Sequence, residues 1–497
     1  MRSLEIILVL ADILIWLAWT APLPRRLGWM RHLAPVGLLV AAAQALAEGP
    51  RAALFPAYAL TGLFCLVWGL RLLTPTAKLA GRTWIRRLGD GLGTLGLVVS
   101  AALPVVLPVF RFPTPSGSYG IGTLTYHWVD ADRQEIFSDD PNARRELVVQ
   151  VWYPAEREAS ARRAPYLPDA EPLAAVLAQT HHQPQILFRS LKYVSTHAIP
   201  SAPVAAQESS YPLLIFLEGL TGFRQMNTFQ VEELVSHGYI VAAIDQPDEA
   251  ALVVFPDGRQ AVMPPLEQIQ ALVHQSYRPV APAPLLNGKP LPEGIIPYFA
   301  QDVIFTLDKI AGLNQADPKG ILTGRLDLQR SGVFGMSGGG IVAGEACRLD
   351  PRLRACLILD APMPTNVVQA GLQQPSMWIT RDAGTMRLER QRAGGWSEAD
   401  IQEHLTSMRA VFASLPGDGY FVQVPGMFHI DFTDVPSWTP LVRWLGAAGP
   451  VGVERAHAIV NAYSLAFFDR HLKGLPQPLL AGPSAQFPEV ILETRQP

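Results

Sequence analysis

The chain has 497 residues, 40 Lys and Arg against 43 Asp and Glu, and a mean hydropathy of +0.17. Residues 113–497 carry 29 bases against 39 acids, which excludes a nucleic-acid partner, because a phosphate backbone demands basic surface. Three cysteines make no disulfide framework, and no Cys/His spacing or acidic loop fits zinc or calcium, so the sequence calls for no metal and no cofactor.

Residues 1–112 contain only four acids, Glu5, Asp12, Glu48 and Asp90. Apolar runs cover Leu4–Leu23, His32–Leu46, Ala53–Leu73 and Leu92–Phe110. Three of them approach the roughly 20 residues that a spanning helix needs; the second is shorter and is interrupted by Gln44. The expectation is an all-α transmembrane region of about four helices over 1–112. A cleaved signal peptide at Leu4–Trp19 would leave the later runs unexplained, and a soluble bundle would have to bury four nearly uncharged helices. Asp12 is costly in lipid and should face the bundle. Arg25, Arg26 and Arg31 follow the first run, and Arg71, Lys78, Arg82, Arg86 and Arg87 follow the third, so these loops should be cytoplasmic. Four spans then place both termini, and everything after Arg111, on the extracytoplasmic face of a cell membrane.

Residues 113–497 form the second domain. Strand-like runs at Glu146–Tyr153, Leu213–Leu217, Tyr239–Ile244, Gly332–Met336, Ala355–Leu359, Met377–Thr380 and Tyr420–Val424 alternate with helical patterns. The helices are expected at Phe229–His237, Ala300–Leu313, Gly338–Arg348, Ala399–Leu415 and Val453–Leu472. Such alternation predicts an α/β fold, a mostly parallel sheet with helices on both faces. Two long inserts rich in Pro, Ala and Gln, at 156–207 and 249–297, interrupt it; the second is expected to form a lid or an acyl-pocket wall.

Glu218-Gly219-Leu220-Thr221-Gly222 follows the strand Leu213–Leu217, and its glycines allow a tight turn. Gly335-Met336-Ser337-Gly338-Gly339 is a G-x-S-x-G sequence between a strand and a helix, the setting that projects a serine hydroxyl out of a sheet on a sharp turn. The N–H groups of Leu220 and Gly338 are then the expected oxyanion donors. A base must follow in the chain. His404, His457 and His471 lie within helical patterns, whereas His429 follows a strand end, where α/β folds display catalytic groups. Two acids end strands after the serine, Asp360 and Asp382, and either could orient the imidazole.

From about Tyr119 to Gly474 the chain resembles the platelet-activating factor acetylhydrolase-like branch of the α/β-hydrolases. The carrying segments are Val151-Trp-Tyr-Pro154, Tyr211–Arg224, Ser236–Ala243, Gly335–Gly339, Leu359-Asp-Ala361, His429–Asp434 and Ala466–Gly474. The resemblance implies Ser337 as nucleophile, His429 as base and Leu220 as an oxyanion donor, and it favours Asp360 as the acid. Two positions depart from the family pattern: Glu218 where relatives carry His, and Met336 where they often carry a polar residue. Glu218 would set a negative charge beside a developing oxyanion unless its carboxylate turns away or is paired. The expected function is a membrane-anchored serine hydrolase that cleaves carboxylic esters through an acyl-enzyme, with a small-molecule or lipid ester as substrate. Short-chain or oxidised phospholipid-like esters suit the resemblance. The alternative is a hydrolase-fold membrane sensor or scaffold with impaired catalysis.

Overall fold

A computed structural model describes residues 1–73, 83–158 and 160–496. Lys78 and Arg82, assigned above to a basic loop, lie outside the described residues. The chain divides into two compact units. One comprises residues 1–110 together with 186–193 and 438–441; the other comprises the rest.

The first unit is built on four helices, α1 Ser3–Thr20, α2 Ala34–Ala47, α3 Phe55–Leu73 and α4 Thr83–Val106. Three segments, Ser3–Thr20, Ala52–Leu73 and Arg87–Val106, are long and apolar enough to cross a bilayer. The expected second span is shorter. α2 has 14 residues and meets the 3₁₀ turn Arg25–His32 at a 44° bend, so the two together make at most one broken span. The last span starts before the expected Leu92 and stops at Val106. Polar groups point inward. Asp12 is fully buried and accepts from Thr61 Oγ1 at 2.8 Å, while Glu5 is held by Arg51 at 2.5 Å and Arg2 at 2.8 Å. Leu10, Leu17, Leu39, Leu63 and Leu66 lie exposed on the outside. Polar inside and apolar outside is the arrangement that suits a hydrocarbon solvent.

The second unit holds a ten-stranded sheet. Its strands are β1 Gly120–Gln134, β2 Arg144–Ala155, β3 Ala198–Pro200, β4 Tyr211–Leu217, β5 Ile240–Asp245, β10 Leu326–Met336, β11 Leu353–Leu359, β12 Ser376–Thr380, β13 Gly419–Gln423 and β14 Ile491–Arg495. Two small hairpins, β6 Leu252–Val254 with β7 Gln260–Val262 and β8 Leu285–Leu286 with β9 Lys289–Pro290, complete the strands. The sheet order is β14-β13-β12-β11-β10-β4-β5-β2-β1-β3. From β13 to β5 the neighbours are parallel; β2 and β14 join antiparallel. Every residue of β4 and β5 is buried, as expected for parallel strands covered on both faces. Helices α5 Ala170–Thr180, α6 Thr228–Ser236, α7 Leu266–Tyr277, α8 Ile296–Gln315, α9 Gly338–Leu349, α10 Thr365–Ala370, α11 Ala383–Ala393 and α12 Glu398–Ser414 precede a closing helix, Val453–Lys473.

This is the α/β architecture expected from the alternation. Register sets the site: Gly335 pairs with Leu217, Met336 with Leu359, and Leu359 with Ile379. The segments that leave β4, β10, β11 and β12 therefore emerge level at the carboxyl end of the sheet, where open α/β sheets bind ligands. The two inserts are more ordered than their composition suggests, containing α5 and β3 in the first and the hairpins and α7 in the second.

Candidate active site

Ser337 is the residue at which β10 becomes α9, with φ +56° and ψ −120°. This is a strained conformation for a residue with a side chain. Its neighbours must be small. A Cβ on Gly335 would stand 2.1 Å from the Gly339 carbonyl oxygen, and one on Gly339 would stand 2.3 Å from the carbonyls of Leu217 and Glu218. The two glycines let the helix start directly against the strands, and the turn lifts the Ser337 hydroxyl out of the sheet.

His429 lies just beyond β13, at the start of a short 3₁₀ turn. Its Nε2 is 3.0 Å from Ser337 Oγ, and its Nδ1 is 2.5 Å from Asp360 Oδ2. The structure thus brings Ser337, His429 and Asp360 into one hydrogen-bonded series. Asp431 pins the histidine turn by accepting from Phe428 N at 2.7 Å and Gly449 N at 2.9 Å. Asp382 is engaged elsewhere. It caps α11 by accepting from Thr385 N at 3.0 Å and Thr385 Oγ1 at 2.5 Å, and that hydroxyl in turn accepts from Gly426 N at 2.8 Å.

Asp360 is fully buried and sits at φ +48° just past β11. Burial would raise its pKa, but Arg381, His404 and His429 together hold it well below the usual carboxylate range. Arg381 Nε lies 2.7 Å from Oδ2, Thr380 Oγ1 donates to Oδ1 at 2.8 Å, and His404 Nε2 is 3.5 Å from Oδ1. Arg381 also pairs with Glu389, whose carboxylate accepts from His429 N at 3.1 Å. Trp396 gathers this group: its ring lies 5.3 Å from His429, 5.4 Å from His404 and 4.9 Å from the Arg381 guanidinium. Sequence reasoning placed His404 on an ordinary helical face and passed over Arg381, Glu389 and Trp396. They come from three separate segments, and no local spacing marks them.

The loop after β4 runs against the serine. A Cβ on Gly219 would lie 3.1 Å from Ser337 Cβ, and Gly222 N donates to Gly219 O at 2.7 Å, closing the turn. Leu220 N lies 3.0 Å from where a Cβ on Gly338 would stand, so the two expected donors border the same space. Glu218, the departure noted above, is fully buried, and its Oε1 accepts from Gln246 N at 3.1 Å. Burial, together with Asp245 and Glu249 nearby, pushes its pKa well above the usual value. Arg224, two residues beyond the loop, is held by Asp245 and donates its N–H to the same carboxylate at 2.6 Å. Among the described residues, no group of three or more His, Cys, Asp and Glu is arranged to hold a metal. Cys347 and Cys356 are buried free thiols.

Residues 106–272 match the family model described as platelet-activating factor acetylhydrolase, isoform II, a stretch that includes the Glu218–Gly222 loop and stops short of Ser337. The platelet-activating factor acetylhydrolase of Gallus gallus is 23% identical over 73% of this chain and 84% of its own length. That of Cavia porcellus is 24% identical over 84% and 88%. A ferulic acid esterase from Streptomyces cinnamoneus superposes with a TM-score of 0.58 at 29% identity, over 78% of this chain and 99% of the esterase. Fold and similarities together define the class, an α/β-hydrolase-fold protein of the ester-hydrolase type. Within that class, the resemblance to the platelet-activating factor acetylhydrolases read from the sequence is matched by both the family model and the relatives.

Proposed function

We propose that the chain is a membrane-anchored serine hydrolase that cleaves carboxylic esters through an acyl-enzyme. The observation that carries this reading is the series Ser337 Oγ, His429 Nε2, His429 Nδ1, Asp360 Oδ2, with contacts of 3.0 and 2.5 Å, beside a sharp strand-to-helix turn. Ser337 Oγ attacks the acyl carbonyl while His429 Nε2 takes its proton. Asp360 fixes the tautomer that leaves Nε2 free to accept, and it stabilises the imidazolium. The N–H groups of Leu220 and Gly338 receive the oxyanion, each such donor lowering the barrier by about 3–4 kcal/mol. His429 then protonates the leaving alcohol, and a water activated by the same imidazole releases the acid.

Two features support the substrate class. The relatives are named as platelet-activating factor acetylhydrolases, and the first unit carries three helices of membrane-spanning length with an apolar exterior. Short-chain or oxidised phospholipid-like esters fit both. Purified full-length protein assayed over an acyl-length series should favour short chains, and Ser337→Ala should lose all turnover above background. Turnover that persists in Ser337→Ala would remove the serine from the chemistry. A wild type inactive on every ester would favour the non-catalytic sensor.

A further inference from the structure

Glu249 opens the second insert, four residues after β5, and its side chain reaches back to the serine turn. A Cβ on Gly338 would stand 2.5 Å from Glu249 Oε1 and 3.0 Å from Leu220 N. The glycine after the nucleophile is therefore what leaves room for this carboxyl beside the Leu220 N–H. The backbone holds it there: Thr221 N donates to Glu249 O at 3.1 Å, and Ala251 N donates to Gly222 O at 2.9 Å, lacing the start of the insert to the oxyanion loop. Glu249 is fully buried, and neither carboxyl oxygen has a hydrogen-bond partner among the described residues. A buried, unpartnered carboxyl is expensive unless it is neutral and meets its partner during function.

The groups facing it favour the neutral form. Asp302 on α8 and Arg145 on β2 act on it, and it acts on Glu218 just past β4. Arg145 is already committed to Asp302 at 2.8 Å and Glu135 at 2.9 Å, and Arg224 to Asp245. Burial first, then the charge of Asp302, pushes the Glu249 pKa up to about 8 against the opposing pull of Arg145.

We propose that Glu249 is a third oxyanion-hole donor, a neutral carboxylic acid whose hydroxyl turns to the tetrahedral oxyanion at the wall formed by Gly338 and Leu220. The proposal rests on the serine-hydrolase reading above. Glu249 keeps its proton throughout, so no atom is transferred and no co-reactant is required. A carboxylic acid held neutral by its surroundings can serve an oxyanion in this way. Ionisation has two effects of the same sign: it removes the donor and sets a carboxylate against the developing charge. Activity should therefore fall as pH rises through about 8.

The test uses the detergent-solubilised full chain and a short-chain p-nitrophenyl ester, with kcat and KM measured from pH 6 to 10 and fluorophosphonate labelling run alongside. Glu249→Gln retains an N–H donor and cannot ionise; it should hold kcat within a few-fold at pH 7 and lose the alkaline fall seen in wild type. Glu249→Leu keeps the bulk without the donor and should lose about 10²-fold in kcat with little change in KM. A wild-type-like alkaline fall in Glu249→Gln, or full kcat in Glu249→Leu, overturns the proposal while labelling at Ser337 leaves the serine reading standing. Absence of Ser337-dependent labelling in wild type overturns both.

Discussion

At the residue scale, the most informative side chain is Asp360, because everything around it bears on one carboxylate. Its Oδ2 meets both His429 and Arg381, and its Oδ1 meets Thr380 and, at longer range, His404. Asp360→Asn removes the acceptor for His429 Nδ1 and frees the wrong tautomer, so kcat should fall by about 10⁴ with little change in KM. Asp382→Ala removes only the α11 cap and its Thr385 link; it should cost about 1 kcal/mol of stability and little rate. Steady-state kinetics of the two variants separate these roles. Arg381 has a different signature. Its charge favours the ionised Asp360, so Arg381→Met should raise the carboxyl's pKa and move the acid limb of the pH–rate profile upward. An acid limb left in place would show that Thr380 and the histidines suffice to hold the carboxylate. Ser337 and His429 were legible because each follows a strand in a recognisable local setting. Arg381 and His404 were not, because they reach Asp360 from 21 and 44 residues further along the chain, where no spacing rule applies.

At the element scale, the carboxyl end of the sheet is held by a buried ionic cluster beside β5. Arg145 on β2 is fully buried; it pairs with Asp302 of α8 and Glu135, and donates to the Pro247 carbonyl at 3.1 Å. It thus ties the first strand pair, helix α8 and the Asp245–Glu249 turn together. Burial would raise the Asp302 pKa, but Arg145 and Arg133 hold it below the ordinary value. Its contribution to stability is therefore present above the unfolded-state pKa and lost as pH falls through the folded one. Arg145→Met strands the carboxylates and should cost about 3–5 kcal/mol, read as a fall in denaturation midpoint. A loss under 1 kcal/mol would mean that solvent already screens the cluster. Seven strands, β2, β4, β5 and β10 to β13, could be read from their apolar runs. β1 could not, since its outer third, Asp130–Gln134, is polar and partly exposed, and neither could β14, an edge strand ending Glu-Thr-Arg. The inserts read as loops because Pro-rich composition masks short elements such as α7, which form only when tertiary packing supplies their partners.

At the scale of the whole molecule, the chain divides into two compact units of different composition. The first hides Asp12 and Glu5 and exposes leucines, and the second buries apolar strands under helices. An acid-poor, apolar N-terminal region is what spanning helices would need, and three of its segments are long and apolar enough to cross a bilayer. The number of crossings was harder to read, because α2 is only about 21 Å long at 1.5 Å per residue, short of a typical hydrocarbon core, unless the bent turn before it completes a span. The basic loop before the last span decides the side. With that loop inside, protease added to intact cells should digest residues 111–497 whether three or four helices cross; protection until lysis would put that loop outside.

The account depends most on the identity of one oxygen. Full-length wild type treated with a fluorophosphonate probe, digested and mapped by mass spectrometry, should carry the adduct on the peptide containing Ser337, and His429→Ala should slow its formation by orders of magnitude. An adduct on a different serine, or no adduct in wild type that hydrolyses esters, would contradict the chemistry assigned to this site.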